Sequence, residues 1–122
     1  MKKCIAIVVA AALLMLCSCA ANVTGKELLP LDSGMKQFAV FESGQKKFEA
    51  VGGQSVTDLY IALSEMIVSE TQNGEAIYEI EIEMITDTFR IAIGENCIQY
   101  DGVWYTPNSD AVLRFIRSCL TE

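Results

Sequence analysis

The chain has 122 residues, of which 52% are hydrophobic and 20% are charged, and sixteen Asp and Glu against nine Lys and Arg give it a net charge of −7. So acidic a surface excludes binding to nucleic acid by phosphate neutralisation. The sequence has no His, no Gly-x-Ser-x-Gly motif and no Gly-rich phosphate loop. It therefore lacks the usual pair of a nucleophile and an adjacent base.

An apolar segment follows Lys2 and Lys3 at the amino terminus. It comprises the twelve residues 5–16 and is followed by small Ser18. A transmembrane helix needs about 20 apolar residues to cross a hydrocarbon core, and no second apolar block follows Cys19. Positive charge, apolar core and small residue come in the order of a secretory signal peptide.

The end of this segment, Leu16-Cys17-Ser18-Cys19, resembles the processing site of bacterial lipoproteins. In that family an aliphatic residue lies three positions before the cysteine and a small residue directly before it. The resemblance implies removal of residues 1–18 as a signal peptide and transfer of a diacylglyceryl group to the Cys19 thiol, often with acylation (palmitate) of the new amino group. It also implies export to the outer face of the plasma membrane, or to the outer membrane of a Gram-negative cell.

Residues 19–35 are predicted to be a lipidated tether, because Gly25, Pro30 and Gly34 interrupt them and they have no apolar periodicity apart from Leu28, Leu29 and Leu31. Removal of Lys2 and Lys3 leaves seven basic residues against sixteen acidic ones, a net charge of −9. Anionic headgroups repel such a surface. We therefore expect the membrane to be bound through covalent lipid, and two or more acyl chains make that anchor lasting.

The domain predicted over residues 36–122 begins with a β-hairpin and a helix. Two short runs at 37–42 and 47–51 are joined around Gly44, which suits a tight turn. A helix is expected to begin near Ser55, because apolar residues follow it at helical spacing, and to end at Asn73-Gly74.

Four strands are expected next. Residues 78–84 alternate apolar side chains with glutamates, the pattern of a strand with one buried face. Pairing with the following strand is predicted to place Ile82 opposite Ile91 and Glu83 opposite Arg90.

Turns at residues 94–96 and at Asp101-Gly102 predict strands over 97–100 and 103–106. A helix with an apolar stripe is expected over 112–120. The predicted fold class is α+β, a single small domain with a largely antiparallel sheet. Its element order is β-β-α-β-β-β-β-α, with both helices on one face of the sheet.

Cys97 and Cys119 are the two cysteines that remain after processing and lipidation. An even pair in an exported chain predicts one disulfide, and two separate buried thiols are the alternative. The predicted strand register points Cys97 away from the helix that carries Cys119, so the bridge requires a bulge at residues 94–96. No metal site is expected, because two thiolates without His fall short of a tetrahedral set.

Glu79, Glu81 and Glu83 form the one dense group of carboxylates. Residues two apart on a strand lie about 6.6 to 6.8 Å apart, which favours a solvated strand face over a shared cation site. Two carboxylates at this spacing could also form the acid and base pair of a glycosidase.

Trp104 is predicted to lie beside Gln99 on the face of the sheet without helices, where it could form a platform for sugar or peptide. The alternative is that a segment of the tether or the sheet edge covers it. The candidate ligand face comprises Trp104, Gln99, Arg90, Glu79, Glu81 and Glu83.

These patterns favour a lipid-anchored, extracytoplasmic, non-enzymatic domain that binds a protein or a cell-envelope ligand, without a cofactor and without nucleic acid. One alternative is a small hydrolase of envelope glycans that uses Glu79, Glu81 and Glu83. Another is a substrate-capture lipoprotein that feeds a transporter. No catalytic residue is predicted for the leading function.

Overall fold

The computed structural model describes residues 22–121. The predicted signal peptide and Cys19 lie outside the described residues. This part of the chain contains eight strands and three helices, in the order β1 (Asn22–Thr24), α1 (Gly25–Leu28), β2 (Met35–Glu42), β3 (Gln45–Val51), α2 (Gly53–Glu65), β4 (Ile67–Thr71), β5 (Tyr78–Met84), β6 (Thr88–Gly94), β7 (Cys97–Tyr100), β8 (Val103–Pro107) and α3 (Ala111–Leu120).

The strands form one antiparallel sheet in the order β1-β4-β8-β7-β6-β5-β2-β3. The apolar stripes of α2 and α3 pack on one face of it, where Leu59, Leu63 and Ile116 join the buried Ile80 and Ile82 in a single core. The predicted α+β class, single domain and helices on one face are confirmed.

The β5–β6 hairpin differs from the predicted pairing by two residues. Ile82 lies opposite Phe89, and Arg90 lies opposite Glu81 rather than Glu83. Because side chains alternate with a period of two, a shift of two residues keeps every side chain on its predicted face. The glutamates of β5 therefore still point away from the helices.

The helix after the first hairpin is shorter than predicted. It ends at Glu65, and Met66 has extended backbone angles. Ile67–Thr71 forms β4, which pairs with β1 on one side and β8 on the other. Asn73 and Gly74 thus lie in the loop after β4 and do not end the helix.

Part of the predicted tether is folded onto the domain. Thr24 and Glu27 form a reciprocal capping box at the start of α1, with hydrogen bonds of 2.9 and 3.1 Å. Leu29 and Leu31 are only 3% and 1% exposed. The folded region therefore includes residues 22–35, which were expected to belong to the tether, because these leucines supply part of the core.

The connection from β4 to β5 crosses the sheet on the face opposite the helices. These two strands are four spacings apart in the sheet, about 19 Å at roughly 4.8 Å per spacing. Seven steps of chain at about 3.3 to 3.6 Å each can span that distance only when nearly extended. We call residues 72–77 the strap.

Within the described range of 22 to 121, no helix is long and apolar enough to span a membrane.

Candidate functional site

The face of the sheet opposite the helices, which we call the open face, is defined by the cross-strand pairs. Residues directly opposite each other on neighbouring strands point to the same side. The pairs place there Gln37, Ala39, Phe41, Lys46, Glu49, Val51, Glu79, Glu81, Glu83, Thr88, Arg90, Ala92, Gly94, Cys97, Gln99 and Trp104. The face continues onto β8, β4 and β1 with Thr106, Thr71, Ser69 and Asn22.

The strap covers the half of the open face formed by β6, β7 and β8. A β carbon added to Gly74 would lie 2.6 Å from Cδ2 of Trp104, and one added to Gly94 would meet the carbonyl oxygen of Glu75. The Cys97 thiol donates to that same oxygen at 3.7 Å. Two positions without side chains therefore let the strap lie directly on the sheet.

The other half of the open face, on β3, β2, β5 and the start of β6, carries an array of paired charges. Arg90 Nη1 lies 2.9 Å from Glu79 Oε1 and Arg90 Nη2 lies 3.8 Å from Glu81 Oε1. The Arg90 guanidinium also lies over the Phe41 ring, 4.8 Å from its centroid. This cation–π contact and the two ion pairs fix the position of the Arg90 guanidinium on the open face.

The array continues toward the β3 edge. Glu83 accepts a hydrogen bond of 2.7 Å from the Gln37 amide and pairs with Lys36 at 3.3 Å. Lys46 pairs with Glu49 at 3.4 Å. Each such exposed pair adds only about 0 to 1 kcal/mol to stability. Their larger effect is to fix where positive and negative groups lie on this surface.

A depression of about 180 Å³ lies within this uncovered half. Its floor is Ala39, which is 6% exposed and lies between Glu49 and Glu81 on the neighbouring strands. The rim is formed by the longer side chains of Gln37, Lys46, Glu49, Glu81, Glu83 and Thr88. At the end of β3, Val51 is 72% exposed on the same face.

All six residues of the predicted ligand face lie on the open face, but they fall into two groups. Glu79, Glu81, Glu83 and Arg90 belong to the uncovered half. Trp104 lies opposite Gln99 as predicted, yet the strap packs against its ring at Gly74. Trp104 is therefore partly buried, and the side of its indole against Gly74 is not available as a platform.

The predicted disulfide between Cys97 and Cys119 is not present in the structure. Cys97 alternates with buried Ile98 and points to the open face beneath the strap. Cys119 is buried in the core on the helix side of the sheet. The sheet lies between the two thiols, and no bulge occurs at residues 94–96 to turn Cys97 around.

The carboxylates of β5 lie on an exposed surface and each is already engaged by a cation or an amide. This arrangement matches the solvated strand face expected from the alternation, and it adds no support to a hydrolytic pair. Among residues 22–121, no group of three or more His, Cys, Asp and Glu is arranged to hold a metal ion.

Residues of the first hairpin were missing from the predicted site. Gln37, Ala39 and Val51 reach the open face because β2 pairs with β5, a contact between strands about 40 residues apart in the sequence. Phe41 is the residue from which they could have been predicted. Its side chain alternates with that of core-facing Val40, so a large apolar group lies on the open face and needs a neighbour to pack against.

No family model, curated protein or solved structure matches this chain.

Proposed function

We propose that this protein is a lipid-anchored, extracytoplasmic, non-enzymatic domain that binds a protein or a polymeric cell-envelope ligand on the uncovered half of the open face. The membrane anchor is a lipid on Cys19, and the protein is exported to the outer face of the plasma membrane or to the outer membrane.

The binding proposal rests on one observation: within residues 22–121, helices and the strap cover parts of the sheet, and one part of the open face has no such cover. The helices cover the core on one face, and the strap covers the β6–β8 part of the open face. The part of the open face on β3, β2, β5 and the start of β6 is a surface of fixed charges around Ala39, with Val51 exposed at its border. An exposed apolar residue beside oriented charges is the composition of a protein-binding surface with a polar rim.

The shape of this surface indicates the size of the ligand. A small-molecule site is usually a cleft of about 300 to 1,000 Å³ that encloses most of its ligand, whereas the depression over Ala39 has a volume of only about 180 Å³ and is bordered by half-exposed side chains. A macromolecule can cover such a surface and bury many weak contacts at once. The ligand class that fits is therefore a folded protein or an extended envelope polymer.

Binding through this face is tested with two exposed apolar residues that differ in location. Val51 is 72% exposed on the open face, and Ile61 is 44% exposed on α2. We expect Val51→Lys to lower the amount of protein or glycan that is crosslinked and co-purified from membranes, while Ile61→Lys leaves it unchanged. Equal losses, or a loss with Ile61→Lys alone, would contradict the proposal.

The anchor is tested separately by the intact mass of the protein extracted from membranes. We expect a mature chain that begins at Cys19 and carries a diacylglyceryl group. Cys19→Ser should release the protein or leave it unprocessed. A different amino terminus, or an unmodified Cys19 thiol, would contradict the proposed anchor. The proposed binding surface would not be affected, because the Val51 variant tests it separately.

A further inference from the structure

A second surface lies on the helix side of the sheet, at the ends of β4, β6, β7 and β8. We call it the aromatic–acidic corner, and it comprises Phe89, Tyr100, Tyr105, Glu70, Asp87 and Asp101. Tyr105 lies directly opposite Glu70. Phe89 lies opposite Ile82 and so faces the same side as the core.

The cover provided by the helices ends before this corner. Buried Ile82, Ile91 and Ile98 belong to the same face of the sheet. By contrast, Phe89, Tyr100 and Tyr105 pack against the core but keep part of their surface exposed. The three rings thus form a ledge between the core and water.

Two of these rings meet at nearly a right angle. The centroids of Phe89 and Tyr100 are 5.8 Å apart, with an interplanar angle of 83°. An edge-to-face pair presents ring faces in two directions. Ring faces carry negative electrostatic potential, and they attract ammonium and guanidinium groups.

The carboxylates around the rings differ from those of the open face. Among residues 22–121, neither Glu70 nor Asp87 nor Asp101 belongs to an ion pair, whereas Glu79, Glu81 and Glu83 each have a cation within 4 Å. The corner therefore combines aromatic rings with three carboxylates whose charge is not neutralised by the chain itself.

The negative field of these carboxylates reaches the phenol groups. Burial, followed by the charges of Asp101 and Asp87, raises the pKa of Tyr100. Burial, followed by the charges of Glu70 and Asp101, raises the pKa of Tyr105. Both phenols remain neutral at physiological pH, so the rings and the carboxylates attract a cation together.

We infer that the aromatic–acidic corner is a docking surface for a lysine- or arginine-bearing segment of a partner protein. Charge complementarity selects the cation, and the ledge of three rings offers apolar contact to the rest of a peptide segment. This surface lies on the opposite side of the sheet from the proposed ligand face, so the inference goes beyond the proposed function and is independent of it.

The test uses tetralysine and tetraarginine peptides as probes, titrated into the isotope-labelled full chain in a non-ionic detergent. Amide chemical-shift changes are expected at residues 87–89, 100–105 and 70, and a tetrapeptide of acetylated lysine is expected to cause none. Shift changes centred on the open face, or equal changes with the acetylated peptide, would overturn the inference.

Two triple variants that remove the same number of charges provide the matched comparison. Glu70→Gln with Asp87→Asn and Asp101→Asn is expected to weaken tetralysine binding about tenfold, whereas Glu79→Gln with Glu81→Gln and Glu83→Gln should change it by less than about twofold. Tyr100→Leu should weaken it by about two- to fivefold through loss of the cation–π contact.

Equal weakening by both triple variants would show that the peptides respond only to net charge, and it would overturn the inference. That result would leave the proposed open-face function standing, because the Val51 and Ile61 variants test that function without a cationic probe.

Discussion

The carbonyl oxygen of Glu75 occupies the space above Gly94 that a side chain would fill on any other residue. The Cys97 thiol donates to the same oxygen at 3.7 Å, so one backbone group of the strap contacts two neighbouring strands. The strap covers one part of the open face. A displacement of the strap would therefore change the surface that is available to a ligand.

Gly94→Ala is therefore expected to displace the strap. The added methyl group overlaps the Glu75 carbonyl, and overpacking of this kind costs about 1 to 3 kcal/mol. Denaturant unfolding measures the free-energy loss, and the rate of Cys97 alkylation in the native protein should rise because its cover has moved.

Gly44→Ala is the control for this change. Nothing lies within 4 Å of a β carbon at Gly44, but its φ of 79° strains any other residue. It should destabilise the protein without changing the reactivity of Cys97. Unchanged Cys97 reactivity in Gly94→Ala would contradict the described contact.

The two cysteines of the domain should not be joined to each other. Because the sheet separates Cys97 from the core that contains Cys119, a peptide map of the unreduced protein should contain no peptide in which these two residues are joined. A Cys97–Cys119 disulfide peptide in that map would mean that the register at β7 is wrong.

Trp104 should behave as a partly buried residue and also report on the strap. Its truncation to Ala should cost about 1 to 3 kcal/mol, less than the roughly 3 to 5 kcal/mol of a fully buried aromatic. It is the only tryptophan of the chain, so its emission follows the local environment. Gly74→Ala should shift that emission to longer wavelength, because the new methyl group pushes the strap off the indole.

A loss below about 0.5 kcal/mol for Trp104→Ala is typical of surface positions and would mean that the ring is uncovered. Unchanged emission in Gly74→Ala would mean the same.

Acidic pH should weaken the start of α3 through Asp110. A hydrogen bond of 2.8 Å from Arg114 Nε is the main cause that lowers the pKa of Asp110. A carboxyl group with a lower pKa in the folded state stabilises the fold above its unfolded pKa, near 3.9, and loses this contribution as pH falls through the folded pKa. Arg114→Gln should raise the Asp110 pKa measured by NMR titration, whereas Arg117→Gln, with its partner Glu95, should leave it unchanged.

The face assignment of the sheet could be predicted from the sequence, but the register of the β5–β6 hairpin could not. Alternation of apolar residues with glutamates in β5 identifies the buried face. A register shift of two residues leaves this assignment of faces unchanged. The exact register depends on the β5–β6 turn, where Met84 N–H donates to the Asp87 carbonyl at 2.7 Å. Ile85-Thr86 carries none of the usual turn residues, so the sequence contains little information about this turn.

β4 and the strap were missed for a different reason. Met66 and Ile67 continue the helical spacing of apolar residues in α2. A prediction from neighbouring residues alone therefore extends the helix through them. Their extended backbone is held by distant groups, since Asn108 donates its N–H to the Ile67 carbonyl at 2.8 Å and accepts from Ile67 N–H at 3.1 Å. Contacts between residues 41 apart leave no pattern within a short window.

Two features of the sequence led to opposite predictions for Cys97 and Cys119. An even number of cysteines predicted a bridge, while strand alternation pointed Cys97 away from the helix that carries Cys119. The structure follows the alternation. Where the two disagree, side-chain direction in a paired strand is the stronger physical constraint, because reversing it requires a bulge that disrupts the hydrogen-bonded ladder.

The most direct test of the central claim places a diazirine photo-crosslinker at one of two exposed threonines in the full chain in native membranes. Thr88 lies on the uncovered half of the open face, and Thr57 lies on α2 on the other side of the domain. If the uncovered half binds the ligand, the probe at Thr88 should give a discrete crosslinked species, identifiable by mass spectrometry, and the probe at Thr57 should give none. A crosslinked species from Thr57 but not from Thr88, or none from Thr88 with the protein correctly located, would contradict the claim.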